Sequence, residues 1–404
     1  MNQNTTGGGE PRRAVSDASG GKTPMQRLEE RRNLRIDMWR RRNRSASWLI
    51  DHAIEHATRA DRLRGFALPM RPARCGWPLG RVDMTLINGR AYATGLEHCA
   101  SPWACPVCTP VIRARRARDL QQAADRWTGE GHALTFVTLT RPHTKSEPLA
   151  DGLDLVARAW SDMTGSQRWR KLRNDLGIRH HARSVEITWS PAHGWHAHVH
   201  ALLFTDAPVN RERLQDELRD MWSRALEHLG SRKPSKRHGV LCENVETTPE
   251  GAASYLSKPP DRIGSEITRM DRKQGRGHDS LTPFQLLDPP VIRRLGEWRA
   301  KSLWIEYVES TQRRRSITWS RHLRSSLVGG REASDRQIID DTIPGTRLYP
   351  IAPRTWRSLR RSPTLLAHLC SRTETGEIPI ALDIIRLIAH ERDGKTDDGN
   401  DEAE

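Results

Sequence analysis

The stretch GWHAHVHALLF, residues 194–204, sets His196, His198 and His200 at alternate positions. In a strand such positions share one face, here opposite Ala197, Val199 and Ala201. Imidazoles are costly to bury without partners, and three in a row beside a core strand point to a metal ion. The preceding segment RSVEITWS, 183–190, alternates as a second strand, and PAHG turns between the two. A hairpin over residues 184–204 then brings Glu186 opposite residues 198–200, within a residue or two of register. Two imidazoles and one carboxylate leave coordination positions open, which suits catalysis better than a closed structural site. The mixed nitrogen and oxygen shell suits Mn2+ or Mg2+, with Mn2+ favoured by imidazole. Such an ion can hold a phosphate oxygen and polarise the phosphorus.

A nucleophile for that ion is sought among few tyrosines, since the chain has 4 Tyr against 14 Trp. Tyr255 lies in TPEGAASYLSK, 248–258, which reads as a helix with Thr248 as its cap and Pro249 in its first turn. Lys258 follows at i+3 on the same face. A phenol with a pKa of about 10 attacks poorly unless its charge is supported, and a metal and an ammonium nearby would support it.

The second group with chemical potential is Cys75, Cys99, Cys105 and Cys108. Cys105 and Cys108 form a CxxC pair, and four thiolates satisfy a tetrahedral Zn2+. Cys75 is separated from the others by VDMTLINGRAYATG, which reads as a hairpin with an Asn-Gly turn at 88 and 89. Small zinc ribbons hold their two halves in this way. A redox role for the CxxC would need a thioredoxin-like context, which this chain lacks. His98 is a spare candidate ligand; Cys242 and Cys370 stand alone and read as packing residues.

The elements that must position these groups follow from pattern. Residues 1–24 read as disordered, 25–65 as a basic helical segment, and 66–128 as a zinc-binding element followed by a helix over 111–128. HALTFVTLTRP, 132–142, is a strand ended by Pro142. Residues 149–176 carry a helical stripe of Leu153, Val156, Trp160 and Met163, residues 208–230 form another helix, and 239–246 another strand. Residues 261–282 read as a polar loop and 283–325 as helix. These make 129–325 one catalytic unit with a helical extension, 326–344 a linker, 345–391 a small C-terminal unit and 392–404 an acidic disordered tail. The expected class is α+β with a central antiparallel sheet flanked by helices.

The chain of 404 residues carries 66 Lys and Arg against 50 Asp and Glu, a net charge of +16. That balance points to a polyanion, and nucleic acid is the usual one. The N-terminus has no apolar signal region and no stretch nears the length of a membrane span, so a cytoplasmic chain with reduced thiols is expected. GGKT at 20–23 lacks the earlier glycine of a phosphate-binding loop.

Taken in order, TFVTLT (135–140), GWHAHVHALLF and SYLSK (254–258) resemble the three motifs of HUH endonucleases. More narrowly, the chain resembles rolling-circle plasmid replication initiators of Gram-positive bacteria, particularly actinomycetes. CASPWACPVC, TPFQLLD and LWIEYVESTQRRRSITWSRHLR add to the likeness, which spans roughly residues 65–325. The resemblance implies an HUH fold with an N-terminal zinc-ribbon-like element. It implies that His198 and His200 hold a divalent ion with Glu186 as third ligand, and that Tyr255 attacks a phosphodiester of single-stranded or extruded origin DNA. A 5′-phosphotyrosyl bond would form and a 3′-OH would be freed to prime synthesis, without ATP. Lys258 would orient the substrate or stabilise charge, and host helicase and polymerase would be partners. His196 stays open between a third ligand and a DNA contact. Relatives with one tyrosine often place a glutamate shortly before it for termination; here Glu250 is five residues upstream, Gly251 takes the four-residue position, and Glu246 and Glu243 are further off. Two other readings are a single-strand HUH transposase, which often has two tyrosines in one helix, and a non-catalytic, zinc-stabilised DNA-binding regulator.

Overall fold

A computed structural model describes residues 23–244, 280–340 and 345–393. The long first helix, Pro24–Glu55, begins where Pro24 occupies the first turn and Thr23 and Gln26 cap each other reciprocally. The expected helix over 149–176 divides into Leu149–Gly165 and Gln167–Asp175, because Ser166 is extended and its hydroxyl caps the Trp169 N–H at 3.1 Å. Asn210 starts Arg211–His228 in the same way.

Among the described residues, eight strands form two antiparallel sheets: β1 (Pro78–Ile87), β2 (Arg90–Leu96), β3 (Ala133–Leu139), β4 (Ile178–Ser190), β5 (Gly194–Thr205), β6 (Val240–Asn244), β7 (Ile317–Trp319) and β8 (Thr346–Ile351). The small sheet has the order β2-β1-β8 and the large one β6-β3-β5-β4-β7. Asn88 and Gly89 join β1 to β2 with φ of 49° and 71°, the two positive values that a tight hairpin turn requires. Residues 345–391, read from sequence as a small C-terminal unit, supply β8 to this hairpin. Their helices Pro353–Leu359, Pro363–Glu374 and Ile378–Asp393 pack with Trp39 of the first helix in one core. Within the stretch expected to be helical over 283–325, residues 317–319 instead extend and pair with β4 through Ala182 to Ser184.

The large sheet is covered unequally. Its back, lined by Val137, Leu139, Val199, Ala201 and Leu203, is buried under Leu149–Gly165 and Arg211–His228. Its front is apolar at one end only, where Leu134, Phe136, Ala182, Leu202 and Phe204 meet Leu120, Ala123 and Trp127 of the helix Cys108–Gly129. The same front face carries the histidines at its other end. β5 thus switches from imidazoles to apolar side chains where the covering helix begins.

Gly194 opens β5 with φ +74°, and a Cβ there would lie 2.4 Å from the Lys145 carbonyl oxygen. The loop after β3 therefore lies directly on the β4–β5 turn. Gly194→Ala is expected to cost about 1–3 kcal/mol from backbone strain plus this clash. A lowered midpoint in urea unfolding checks it; an unchanged midpoint would show that the loop yields freely.

No helix among the described residues is long and apolar enough to cross a membrane.

Candidate metal centres

The first centre is built by three strands. β4 pairs with β5 in a register that sets Glu186 opposite His198, Ser184 opposite His200 and Thr188 opposite His196. β3 sets Thr138 against His200 from the other side. The Glu186 Oε2 atom lies 2.8 Å from His200 Nε2 and 3.2 Å from His198 Nε2. Glu186, His198 and His200 each offer a ligand atom, all within 4.8 Å of one another. Spacings near 3 Å match the edges of a coordination shell with bonds of about 2.1 Å. The Glu186 side chain keeps 45% of its surface, so the centre is reached from solvent, whereas His200 keeps 3%.

His200 is fixed on all sides. Its ring stacks on Phe136 with centroids 5.3 Å apart, and its Nδ1 lies 3.1 Å from the Thr138 hydroxyl. A hydroxyl both donates and accepts. With an ion on Nε2, the Nδ1–H donates to Thr138; without one, Nε2–H donates to Glu186 and Thr138 donates to Nδ1. The ring keeps one orientation in both states, as an outer-shell partner should ensure. Thr138 lies in TFVTLT, and sequence reasoning did not single it out. Thr138→Val is expected to weaken Mn2+ binding by about tenfold, at the low end of such outer-shell losses. Titration followed by electron paramagnetic resonance reads this; equal affinity would remove Thr138 from the centre.

The electrostatics suit a divalent cation. Desolvation pushes the Glu186 carboxyl upward, but hydrogen bonds from His198 and His200 outweigh it and hold the group well below its ordinary range. The carboxylate is therefore available as a ligand at neutral pH. His196, on the same face, is lowered to about 3 by burial, with His198, His143 and Arg141 adding to the effect. It stays neutral and does not repel an ion.

His196 is not among the three groups that share the cluster. Its Nδ1 lies 3.4 Å from Nδ1 of His143, a residue in the loop after β3. That loop is pinned. Arg141 pairs with Glu147 at 2.8 Å, and the Glu306 carboxylate accepts from both the Leu149 N–H and Trp195 Nε1, at 2.8 and 2.9 Å. Neither His143 nor Glu306 was expected from sequence. Glu306 lies in LWIEYVES, and its sequence position gives no hint that it joins the start of the helix Leu149–Gly165 to the start of β5. Tyr255, Lys258, Glu246 and Glu250 lie outside the described residues. Glu243 is on β6, paired with Phe136.

The second centre is the cysteine cluster. Cys75, Cys99, Cys105 and Cys108 are all buried, all unpaired as disulfides, and offer sulfurs within 4.8 Å of one another. Cys108 Sγ lies 3.6 Å from Cys75 Sγ and 3.8 Å from Cys99 Sγ. A tetrahedral Zn2+ with Zn–S bonds of about 2.3 Å has sulfur–sulfur edges of about 3.8 Å. The Cys108 N–H points at Cys105 Sγ over 3.3 Å, the support that a CxxC knuckle gives a thiolate. Burial pushes the Cys105 thiol well above its ordinary range, whereas Cys75 is pulled well below it by its sulfur neighbours, Cys105 foremost. Four sulfurs clustered in this way fit a thiophilic ion. His98 is not one of the four. Cys242 and Cys370 lie in separate cores.

Residues 93–229, which hold three of the four cysteines and all of Glu186, His198 and His200, match a family model described as Replication protein. Over those residues the chain is similar to replication proteins. A Protein rep of Streptomyces lividans is 27% identical over 62% of this chain and 69% of its own length. A Protein rep of Lentilactobacillus hilgardii is also 27% identical, over 66% of this chain and 81% of its own. A neomycin resistance protein of Streptomyces cyanogenus is 30% identical over 31% of this chain, which spans 34% of that protein. No solved structure matches the chain.

Proposed function

We propose that this replication protein is a rolling-circle plasmid initiator of the HUH class, a metal-dependent single-strand DNA nicking and joining enzyme. One observation carries the reading: two imidazoles of one strand share a single carboxylate oxygen at the end of the sheet's front face beyond the helix Cys108–Gly129. Glu186, His198 and His200 would hold Mn2+ or Mg2+, which polarises a phosphodiester and offsets charge as it builds on phosphorus. One carboxylate and a divalent cation leave a net positive charge there, suited to a phosphate. Tyr255, with Lys258 beside it in sequence, would attack the phosphorus. The phenol loses its proton, the tyrosyl O–P bond forms, the P–O3′ bond breaks, and the departing 3′ oxygen takes up a proton. The 5′ end stays on Tyr255 and the 3′-OH is free to prime synthesis. A phosphoester is exchanged rather than hydrolysed, so no nucleotide is consumed. The four-cysteine cluster would hold a structural Zn2+. Origin DNA is the substrate, single-stranded or extruded, and the net charge of +16 favours its capture.

The test needs no knowledge of the origin. Purified protein is incubated with Mn2+ and a randomised single-stranded library, and adducts that survive denaturation are recovered. The expected product is DNA joined through its 5′ phosphate, with mass spectrometry placing the bond on Tyr255. A bond on another residue would overturn the nucleophile; absence of any adduct would overturn the class.

A further inference from the structure

The first helix passes beside the cysteine cluster and buries a charge there. Arg42 is 3% exposed. Its Nε donates to the Cys75 carbonyl at 2.7 Å, its Nη2 to the Ala73 carbonyl at 3.1 Å and its Nη1 to Asn43 Oδ1 at 3.1 Å. Every one of these acceptors is neutral. Among the described residues no carboxylate pairs with Arg42, unlike its neighbour Arg41, which meets Asp288 at 2.6 Å. A second cation adds to the problem: Arg360, whose own pKa is lowered to about 10 by burial and then by Arg42, lies within reach of its field. An isolated buried guanidinium is strongly unfavourable, and Arg cannot shed its proton to escape. The Cys75 carbonyl that it meets belongs to one of the four clustered cysteines.

We propose that Arg42 is the counter-ion of a metal–thiolate centre at Cys75, Cys99, Cys105 and Cys108, and that this charge pair makes docking of the first helix conditional on the metal. Loading the centre exchanges the thiol protons still present, released to solvent, for one Zn2+. Four thiolates and one Zn2+ carry a charge of −2, which the protein must balance in a buried place. Arg42 supplies one positive charge from an adjacent helix and Arg360 adds its field. The two carbonyl contacts aim the guanidinium at the segment that ends in Cys75, and Gly76 leaves room for Trp39 to wall it in, since a Cβ there would lie 3.1 Å from the Trp39 ring.

The consequence reaches beyond the cluster, because the first helix joins both halves of the molecule. Trp39 belongs to the core of the small sheet. Trp48 and Leu49 belong to the core behind the β4–β5 turn, together with Trp195 and Trp304. Arg42 lies between these two sets. A helix held there by the metal's charge couples the small sheet to the strand that carries the histidines.

The inference rests on the zinc reading, and the experiment separates the two. The full chain, wild type and Arg42→Met and Arg42→Lys, is purified with Zn2+ and the metal is counted by mass spectrometry. Less than one equivalent in wild type would overturn the zinc reading itself. Given one equivalent, release of Zn2+ to a chromogenic chelator is followed. Arg42→Met is expected to release it at least tenfold faster, and Arg42→Lys, which keeps the charge, to stay within about threefold of wild type. Unchanged release in Arg42→Met, or equally fast release in both variants, would overturn the counter-ion role. Thermal melts add a sign. Arg42→Met is expected to lower the midpoint of loaded protein by more than that of stripped protein, because protonated thiols leave Arg42 with less opposing charge. A drop of the same size in both states would reduce Arg42 to a hydrogen-bonding prop. Chelator kinetics are read on loaded protein, so they decide even where the stripped form unfolds.

Discussion

His200→Ala is expected to lower the proposed metal-dependent nicking about a thousandfold while leaving binding of single-stranded DNA within a few fold. His200 is the candidate ligand with the least freedom: Phe136 stacks on it, Thr138 holds Nδ1, and Nε2 faces Glu186. Alanine leaves Glu186 and His198, two groups on adjacent strands that cannot define a coordination shell. Loss of Lewis-acid stabilisation is worth several kcal/mol of barrier, and each 1.4 kcal/mol is about tenfold in rate, which gives the estimate. A change confined to stability would look different. Removing the buried ring costs about 1–3 kcal/mol, a shift visible in a melt but too small to silence a folded enzyme. Adduct formation across a Mn2+ titration measures the effect. If saturating Mn2+ restores wild-type rates, His200 tunes affinity only; if cleavage proceeds without added metal, the centre is not catalytic.

The same residues show what a single sequence can and cannot reveal. The β4–β5 hairpin was legible because alternation and a short turn are local signals, and once a register is set, Glu186 must fall near His198. The four cysteines were legible because thiol spacing is rare and specific. Thr138 was within reach: TFVTLT reads as a strand, but nothing in it says which threonine meets which histidine, since that depends on a pairing across 62 residues. β7 and β8 were not legible. Each is short, and each pairs with a strand more than a hundred residues away in the chain, so neither leaves a periodic trace of its own. Arg42 was hidden for another reason. In an arginine-rich helix, RRRNR reads as a solvated or DNA-facing run, and only the packing shows that Arg41 and Arg42 turn inward while Arg40 remains outside.

That packing sets the second large effect. Cys105→Ser is expected to abolish binding of the proposed structural Zn2+ and to uncouple the first helix and the small sheet from the rest. Cys105 is 1% exposed, so a serine there places a hydroxyl among sulfurs, with neither the charge nor the softness of a thiolate. Structural Zn2+ contributes about 10–16 kcal/mol of apparent binding free energy in small peptides at neutral pH, comparable to the whole stability of a domain at about 5–15 kcal/mol. Four segments of the chain meet at the cluster. Cys75 precedes β1, Cys99 follows β2, Cys108 opens the helix that covers the large sheet, and Arg42 comes from the first helix. The histidine end of the large sheet has its own core beneath it and should hold. Hydrogen exchange read by mass spectrometry is therefore expected to show fast exchange over residues 24–105 and 345–390 in Cys105→Ser, with protection retained over 133–228. Uniform loss of protection would mean that the whole chain folds as one cooperative unit. Retained zinc with wild-type protection would mean that three sulfurs suffice and that the fourth is dispensable to the fold.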